Sequence, residues 1–315
     1  NIYKKTDKAI SYYLKSLQAD SNYAYSYYNL GVIYYDSNKL IPAEKSLLKA
    51  IEKKPDYTDA INQLAVLYDN SKKFKEAEYY YQLALQKDSN YIYARYNLGL
   101  LYKKQKKTEL AEKYFLETIK KDSNYSKAYN GLAIFYEDQK QPGLAEKYYL
   151  KAIAKKPDYI DAINSLGVLY YNNKKYPDAE KYYYSALKLD SNYSSAMHNL
   201  GLLYYNQPKP DLQKAENFMR RAISKNPFFA KSHYTLALIH EDRLLYPEAE
   251  KELLEAIRLD SGYTSAYNTL GLLYKNQKKP EKAETYFRKA LQSDSNFSYA
   301  YFNLGAIASG RNDNA

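Results

Sequence analysis

His198, His233 and His240 carry the side chains best suited to proton transfer or metal ligation, and they fall close together in the chain. No H-E-x-x-H spacing accompanies them, so a zinc site of that kind is not encoded. The carboxylate pairs Glu137-Asp138 and Glu241-Asp242 are sequence neighbours, which on a helix do not face each other across a cleft as an acid and a base do. The absence of cysteine excludes disulfides, thiolate ligands and cysteine nucleophiles. No phosphate-binding glycine loop, nucleophile elbow or serine-histidine-acid set occurs. Asn124, Asn192 and Asn296 open N-x-Ser triplets, but within a recurring turn these read as fortuitous. The expectation is a protein that is not an enzyme, with no catalytic residue, no cofactor and no metal. Chemistry is left to asparagine and tyrosine, whose side chains bind rather than react.

Tyrosine is unusually abundant, 42 among 315 residues, so the first question is which rings hold the fold and which face a partner. With 45% hydrophobic and 26% charged residues the chain has both a core to pack and a surface to solvate. Length alone would divide it into two domains, a prior that a linear array of repeats escapes. No run of about 18 apolar residues exists, and Lys4, Lys5, Asp7 and Lys8 break up the start. Neither a transmembrane segment nor a signal peptide is therefore expected in this stretch. Asn at position 1 implies a processed or truncated chain, so the compartment stays undecided, with cytoplasmic slightly favoured over periplasmic or secreted.

The elements that position the tyrosines follow from periodicity. NLGVIY at 29, NLGLLY at 97, SLGVLY at 165 and TLGLLY at 269 recur on a 34-residue period, with a single step of 36 between 199 and 235. Between them runs a second block, AEKSLLKAIEKKPDY at 43 and its equivalents through AETYFRKALQSDSNF at 283. This predicts two helices and two turns per repeat. Pro42, Pro142, Pro177, Pro247 and Pro280 mark the starts of the second helices, where a missing N–H costs little. Asp-Ser-Asn triplets at 88, 122 and 190 mark the turns between repeats, where short polar side chains are expected to cap the backbone. KKPDYTDAIN at 53 and KKPDYIDAIN at 155 read as a trace of an older duplication.

At these residues the chain resembles the tetratricopeptide repeat family. Tyr27, Leu30, Gly31, Tyr34, Ala43, Leu47, Ala50 and Pro55 stand at the family's motif places, as do Tyr129, Leu132, Ala133, Tyr136, Ala145, Tyr149, Ala152 and Pro157. The resemblance implies an all-α, right-handed superhelical solenoid of tandem helix-turn-helix repeats forming a single array over 1–315. Residues 1–23 would supply a second helix only. Full repeats would occupy 24–57, 58–91, 92–125, 126–159, 160–193, 194–229, 230–263 and 264–297, and 298–315 a terminal first helix plus a flexible tail.

Numbering each repeat from its first residue, so that Ala24 is place 1, separates two faces of the first helix. Places 4, 7, 8 and 11 lie together, and places 2, 5, 9 and 12 lie on another side. Tyr27 and Tyr34 therefore belong with the core. Tyr25, Tyr28, Tyr35, Tyr93, Tyr96, Tyr171, Tyr205, Tyr234 and Tyr299 fall on places 2, 5 and 12, which in the family line the inner, concave face. Place 9 is aliphatic throughout, from Val32, Val66, Leu100 and Ile134 to Leu272. Two readings stay open: a peptide-binding groove with an apolar floor edged by rings, or a strip that merely packs against the next repeat. Asn29, Asn62, Asn97, Asn130, Asn164, Asn199, Asn268 and Asn303 stand at place 5 or 6. A carboxamide both donates and accepts, so such a row resembles the asparagine ladder that grips peptide backbone in O-linked glycosyltransferase repeat domains; ordinary local bonding is the alternative.

Lysines concentrate in the turns inside repeats, SKKFK at 71, KKQKK at 103 and NQKKP at 276, and the net charge is +11. This basic rim reads as a solvated surface or as a docking edge for an acidic partner or anionic membrane. Places 12 and 13 mix charge signs, at Asp69, Lys103, Lys104, Glu137, Asp138, Glu241 and Asp242, which argues against a nucleic-acid channel. Place 5 has no Lys and place 9 no Asn, so the family's clamp for a chaperone C-terminal carboxylate is absent. His233 and His240 stand at core places 4 and 11 as substitutes for packed aromatics. The insertion near NQPKPDLQ at 206 and the NPFF turn at 226 read as loop variation. The expected function is a non-catalytic scaffold binding a partner protein, peptide or helix. The alternatives are a substrate-recruiting arm of a larger enzyme, such as an O-linked glycosyltransferase, or a scaffold that self-associates through its array ends.

Overall fold

The computed structural model describes residues 2–312, and among these every regular element is an α-helix. The chain divides into two compact units, Asn1–Pro157 and Asp158–Ala315. In the first, α1 (Ile2–Ala19) precedes four helix pairs: α2 (Ala24–Asp36) with α3 (Leu40–Lys53), α4 (Thr58–Asn70) with α5 (Phe74–Lys87), α6 (Ile92–Lys104) with α7 (Thr108–Lys121), and α8 (Ser126–Asp138) with α9 (Pro142–Lys155). The second holds α10 (Ile160–Asn172) with α11 (Tyr176–Leu189), α12 (Ser194–Asn206) with α13 (Leu212–Lys225), α14 (Ala230–Asp242) with α15 (Tyr246–Leu259), and α16 (Thr264–Asn276) with α17 (Pro280–Ser293). It closes with α18 (Ser298–Asn312). The flexible tail expected after α18 falls on residues 313–315, outside the described residues.

Each pair closes on one contact. The small residue at place 8 of the first helix faces the large residue at place 24 of the second: Gly31 against Leu47, Gly99 against Phe115, Gly167 against Tyr183, Gly201 against Met219 and Gly271 against Phe287. A Cβ built on Gly99 would stand 2.8 Å from Phe115 Cδ1, inside van der Waals contact. The place-24 side chains are accordingly buried, Leu47, Phe115 and Phe287 completely. Leu30, Leu64, Leu98 and Leu132 at place 7 and Ala43, Ala77, Ala111 and Ala145 at place 20 complete the first unit's core.

Successive pairs are joined by a bond that helical periodicity does not reveal. The buried tyrosine at place 11 donates its phenol to a glutamate on the second helix of the preceding pair: Tyr68 to Glu44 at 2.6 Å, Tyr102 to Glu78 at 2.8 Å, Tyr136 to Glu112 at 2.5 Å and Tyr274 to Glu250 at 2.6 Å. Tyr204 donates to Glu180 likewise. Burial, then the glutamate, pushes the pKa of each phenol up, so each remains a donor. The available signal was the Ala-Glu dipeptide at 43, 77, 111, 179 and 249, in which the alanine packs and the glutamate accepts.

The two turns differ in chemistry. Inside pairs, Asn38, Lys72, Lys106, Lys140, Lys174, Leu244 and Lys278 adopt φ between 57° and 60°, the left-handed region. Between pairs, the aspartate capping the C-terminus of the second helix folds back on the turn: Asp88 Oδ1 accepts from the Asn90 backbone N–H at 2.8 Å, and Asp122 from Asn124 at 2.8 Å. The following helix starts on a tyrosine, Tyr91 or Tyr125, with no side-chain cap. The polar triplets thus close the turn rather than cap the next helix. Pro142 and Pro280 open α9 and α17, Pro177 and Pro247 follow one residue later in α11 and α15, and Pro42 is the third residue of α3.

Two substitutions test this account. Gly99→Val is expected to lose about 1–3 kcal/mol in urea unfolding, because the branched side chain displaces Phe115. Lys106→Gly is expected to gain about 1 kcal/mol by relieving the left-handed backbone.

Candidate functional site

The aliphatic line at place 9 is half-buried wherever it occurs. Val32, Val66, Leu100 and Ile134 in the first unit, and Val168, Leu202, Leu238, Leu272 and Ala306 in the second, each keep part of their surface in solvent. They neither enter the core, as place 7 does, nor reach the exposure of Tyr25 and Tyr93 at place 2.

The asparagines beside them form pairs. Asn97 Nδ2 donates to Asn62 Oδ1 at 3.1 Å, Asn199 to Asn164 at 2.9 Å and Asn303 to Asn268 at 3.1 Å. In every case place 5 of one repeat meets place 6 of the next, which explains why the asparagine alternates between two places. Other chemistries fill the same junction. Tyr234 Oη lies 3.3 Å from Thr269 Oγ1, and the Tyr96 ring covers Gly131, where a Cβ would stand 3.0 Å from Tyr96 Cε2. Asn29 instead donates to the Tyr25 carbonyl of its own helix at 2.8 Å, and Asn130 is buried with Oδ1 lacking a hydrogen bond.

A second ladder joins place 12 to place 13 of the next repeat. Lys104 Nζ reaches Asp69 Oδ2 at 2.7 Å, and Lys103 reaches Asp138 Oδ2 at 2.8 Å. Asn206 Nδ2 donates to Tyr171 Oη at 2.8 Å, Asn70 to Tyr35, and Tyr205 hydrogen-bonds Asp242. The mixed signs read from the sequence are therefore complementary partners on adjacent first helices, not a mosaic awaiting a ligand.

The sequence-selected tyrosines separate accordingly. Tyr35, Tyr171 and Tyr205 are half-buried in the second ladder. Tyr28, Tyr96 and Tyr234 lean on the turn tyrosine that follows, with ring centroids 5.1 Å from Tyr57, 5.5 Å from Tyr125 and 4.9 Å from Tyr263. Tyr25 and Tyr93 add a third ring to the first two stacks, 5.1 Å from Tyr57 and 5.9 Å from Tyr125, while remaining 43% and 50% exposed. Tyr299 is 68% exposed. Two three-ring shelves result in the first unit, each with an exposed outermost ring. Lys54 Nζ sits 4.9 Å above the Tyr25 ring and donates to its hydroxyl at 2.8 Å.

Part of the basic rim has a structural task. Nζ of Lys73, Lys107 and Lys175 stands 5.2–5.5 Å over the rings of Tyr68, Tyr102 and Tyr170, the same tyrosines that sit at place 11.

The three histidines sit in separate settings. His198 Nδ1 lies 3.0 Å from Ser232 Oγ, and burial, with Lys231 nearby, lowers its pKa to about 4, so the ring is neutral. His240 takes the place-11 tyrosine's role, with Nε2 3.6 Å from Glu216, which also holds Arg220 and Arg243. His233 Nε2 is 3.1 Å from the Pro227 carbonyl and Nδ1 is 2.6 Å from Glu252, two acceptors that both require an N–H. Burial opposes its charge, but these bonds prevail and hold its pKa above the ordinary 6.5. Among the described residues no cluster of three or more His, Asp or Glu side chains is arranged to hold a metal, and no helix is long and apolar enough to cross a membrane.

The histidine geometry carries a pH dependence with a definite sign. A pKa raised on folding means His233 contributes its full stabilisation below about 6.5 and loses it as pH rises through the folded value. The urea-midpoint difference between the wild type and His233→Gln should therefore be largest at acidic pH and shrink toward pH 8; a pH-independent difference would contradict the doubly donating ring.

Comparison with known proteins returns a consistent picture. Tetratricopeptide repeat models match residues 24–57, 96–160, 160–193 and 264–297, together more than half of the chain. No curated protein sequence matches. The fold is similar to the crystal structure of the APC/C hetero-tetramer Cut9-Hcn1, with a TM-score of 0.66 and 17% identity over 94% of this chain and 58% of that one. The chain thus spans less than two thirds of that structure. It is also similar to pilF of Pseudomonas aeruginosa, with a TM-score of 0.59 and 20% identity over 68% of this chain and 96% of that one. Identities this low speak to fold alone, and with the repeat models they establish that this chain belongs to the tetratricopeptide repeat family.

Proposed function

We infer that the chain is a non-catalytic scaffold that holds a segment of a partner protein on the face formed by its first helices. The observation that carries this reading is the place-9 line: aliphatic at every repeat, half-exposed at every repeat, and bordered by side chains already bonded to one another. A surface fixed in this way loses little conformational entropy when it binds, and aliphatic side chains supply the apolar contact. In the first unit Val32, Val66 and Leu100 form the floor, and the exposed rings of Tyr25 and Tyr93 stand as aromatic anchors on pre-stacked shelves. The asparagine pairs spend one donor and one acceptor on each other. Nδ2 of Asn62 and Oδ1 of Asn97 lie outside that bond, able to meet a peptide backbone. A recruiting arm within a larger enzyme would use the same face.

Exposed aromatics on α18, Tyr301 at 57% and Phe302 at 75%, favour self-association as a second reading. Mass measurement across a dilution series decides it, since a monomer at every concentration excludes it.

The binding reading is tested by selecting peptides from a random display library on the wild-type chain and measuring them against Tyr93→Ala/Leu100→Gln, with circular dichroism confirming the helical content of both. Affinity falling by about tenfold or more is expected, since each truncated anchor is worth on the order of 1–2 kcal/mol. Peptides that bind both proteins equally would place recognition elsewhere.

A further inference from the structure

Place 4 of the first helix has one recurring duty, which is to donate to the backbone carbonyl six residues earlier. Tyr129 Oη donates to Ser123 O at 3.1 Å, Tyr267 Oη to Ser261 O at 3.4 Å, and His233 Nε2 meets Pro227 O at 3.1 Å. Arg95 performs it with Nη2, 2.8 Å from Ser89 O. A tyrosine has then used its only O–H, whereas an arginine has four further N–H groups to place.

Two of the three nitrogens that carry those groups find no hydrogen bond within the protein. Arg95 is 9% exposed, and its buried Nε and Nη1 make no hydrogen bond. The carboxylate paired with it, Glu117, places Oε2 3.5 Å from Nε and Oε1 4.0 Å from Lys113 Nζ. The second unit shows how a cation at this place is satisfied: Glu252 at place 23 reaches His233 at 2.6 Å. In the Arg95 repeat that place is Tyr114, so no carboxylate arrives from there. What adjoins Arg95 instead is a pocket of about 470 Å³ between α6 and the end of α7, lined by Arg95, Glu117, Lys120 and Lys121. Lys121 Nζ is held by Asn90 Oδ1 at 2.9 Å, and Lys120 is exposed. Three cations against one carboxylate leave two positive charges at the pocket, matching a dianion better than a carboxylate.

We propose that this pocket binds a phosphate group, with the buried Arg95 guanidinium as its principal donor and Lys120 and Lys121 at its mouth. An entering phosphate supplies the acceptors that Nε and Nη1 lack, and Glu117 turns toward Lys113 as it enters. The shared chemistry is a phosphate dianion, arriving either as the free ion or on a phosphorylated side chain. The site is separate from the first-helix face, so its failure would leave the scaffold reading untouched.

Sister repeats supply the variants. Tyrosine stands at this place in Tyr27, Tyr129 and Tyr267 and methionine in Met197, so Arg95→Tyr and Arg95→Met each install a residue the fold already tolerates there. Calorimetric titration of the full chain with inorganic phosphate and with O-phosphoserine is expected to show one saturable site. Loss of the charged donor should weaken it by about tenfold or more in either variant. Tighter binding of phosphoserine assigns the site to a phosphorylated segment, and tighter binding of inorganic phosphate assigns it to the free ion; both support the pocket. No saturable heat up to millimolar phosphate, or equal affinity in the wild type and in a folded variant, overturns it.

Discussion

A helix pair in this protein closes only because place 8 carries at most a methyl group. Leucine, phenylalanine, tyrosine or methionine at place 24 occupies the space a larger side chain would need, and a Cβ on Gly271 would stand 2.6 Å from Phe287 Cε1. That approach sets the distance between the two helices, and everything on their outer faces inherits it. If the pair opened, the place-11 tyrosine would lose its glutamate and the first helices would lose their mutual register. Core packing comes first here, and the polar ladders follow from it.

The ladders show how a repeat protein fixes neighbour order with polar chemistry. Within each unit place 5 meets place 6 or place 12 meets place 13 of the following repeat, with amide against amide, phenol against hydroxyl or carboxylate against ammonium. None is large alone, since a half-exposed pair contributes on the order of 1 kcal/mol. Stability in such arrays adds up from nearest-neighbour junctions, so the sum counts. The same bonds immobilise the borders of the place-9 line. The face proposed to bind a partner is thereby a by-product of inter-repeat register: side chains already held by neighbours stand beside aliphatic ones that are not.

Variation between repeats carries as much information as their sameness. Tyrosine, arginine and histidine at place 4 all reach the same carbonyl, yet they differ in how many donors remain, and only Arg95 is left with buried N–H groups beside a pocket. At place 11, His240 keeps the contact with a glutamate that tyrosine makes elsewhere, and Arg220 and Arg243 gather on the same carboxylate.

The fold was almost entirely legible in the sequence, because each repeat restates the same local solution: a 3.6-residue apolar period, a small residue at place 8, proline in the first turn of a helix and polar residues between helices. Local chain statistics carry that information, and repetition averages out the noise. Helical geometry fixes which places share a side, but it did not separate the tyrosines of the first full repeat, where Tyr27, Tyr28, Tyr34 and Tyr35 are all half-buried. The sequence did not reveal what the outward side chains touch. The asparagine row looked like eight equivalent amides and is in part a set of pairs, and the mixed charges at places 12 and 13 are matched partners about 35 residues apart. Such contacts depend on the offset between neighbouring helices, which tertiary packing sets and no single-helix pattern contains. The unbonded Nε and Nη1 of Arg95 belong to the same class. Arginine at place 4 reads as a departure from the motif, and only the packed structure shows that its neighbours leave those atoms unbonded in a residue that lines a pocket.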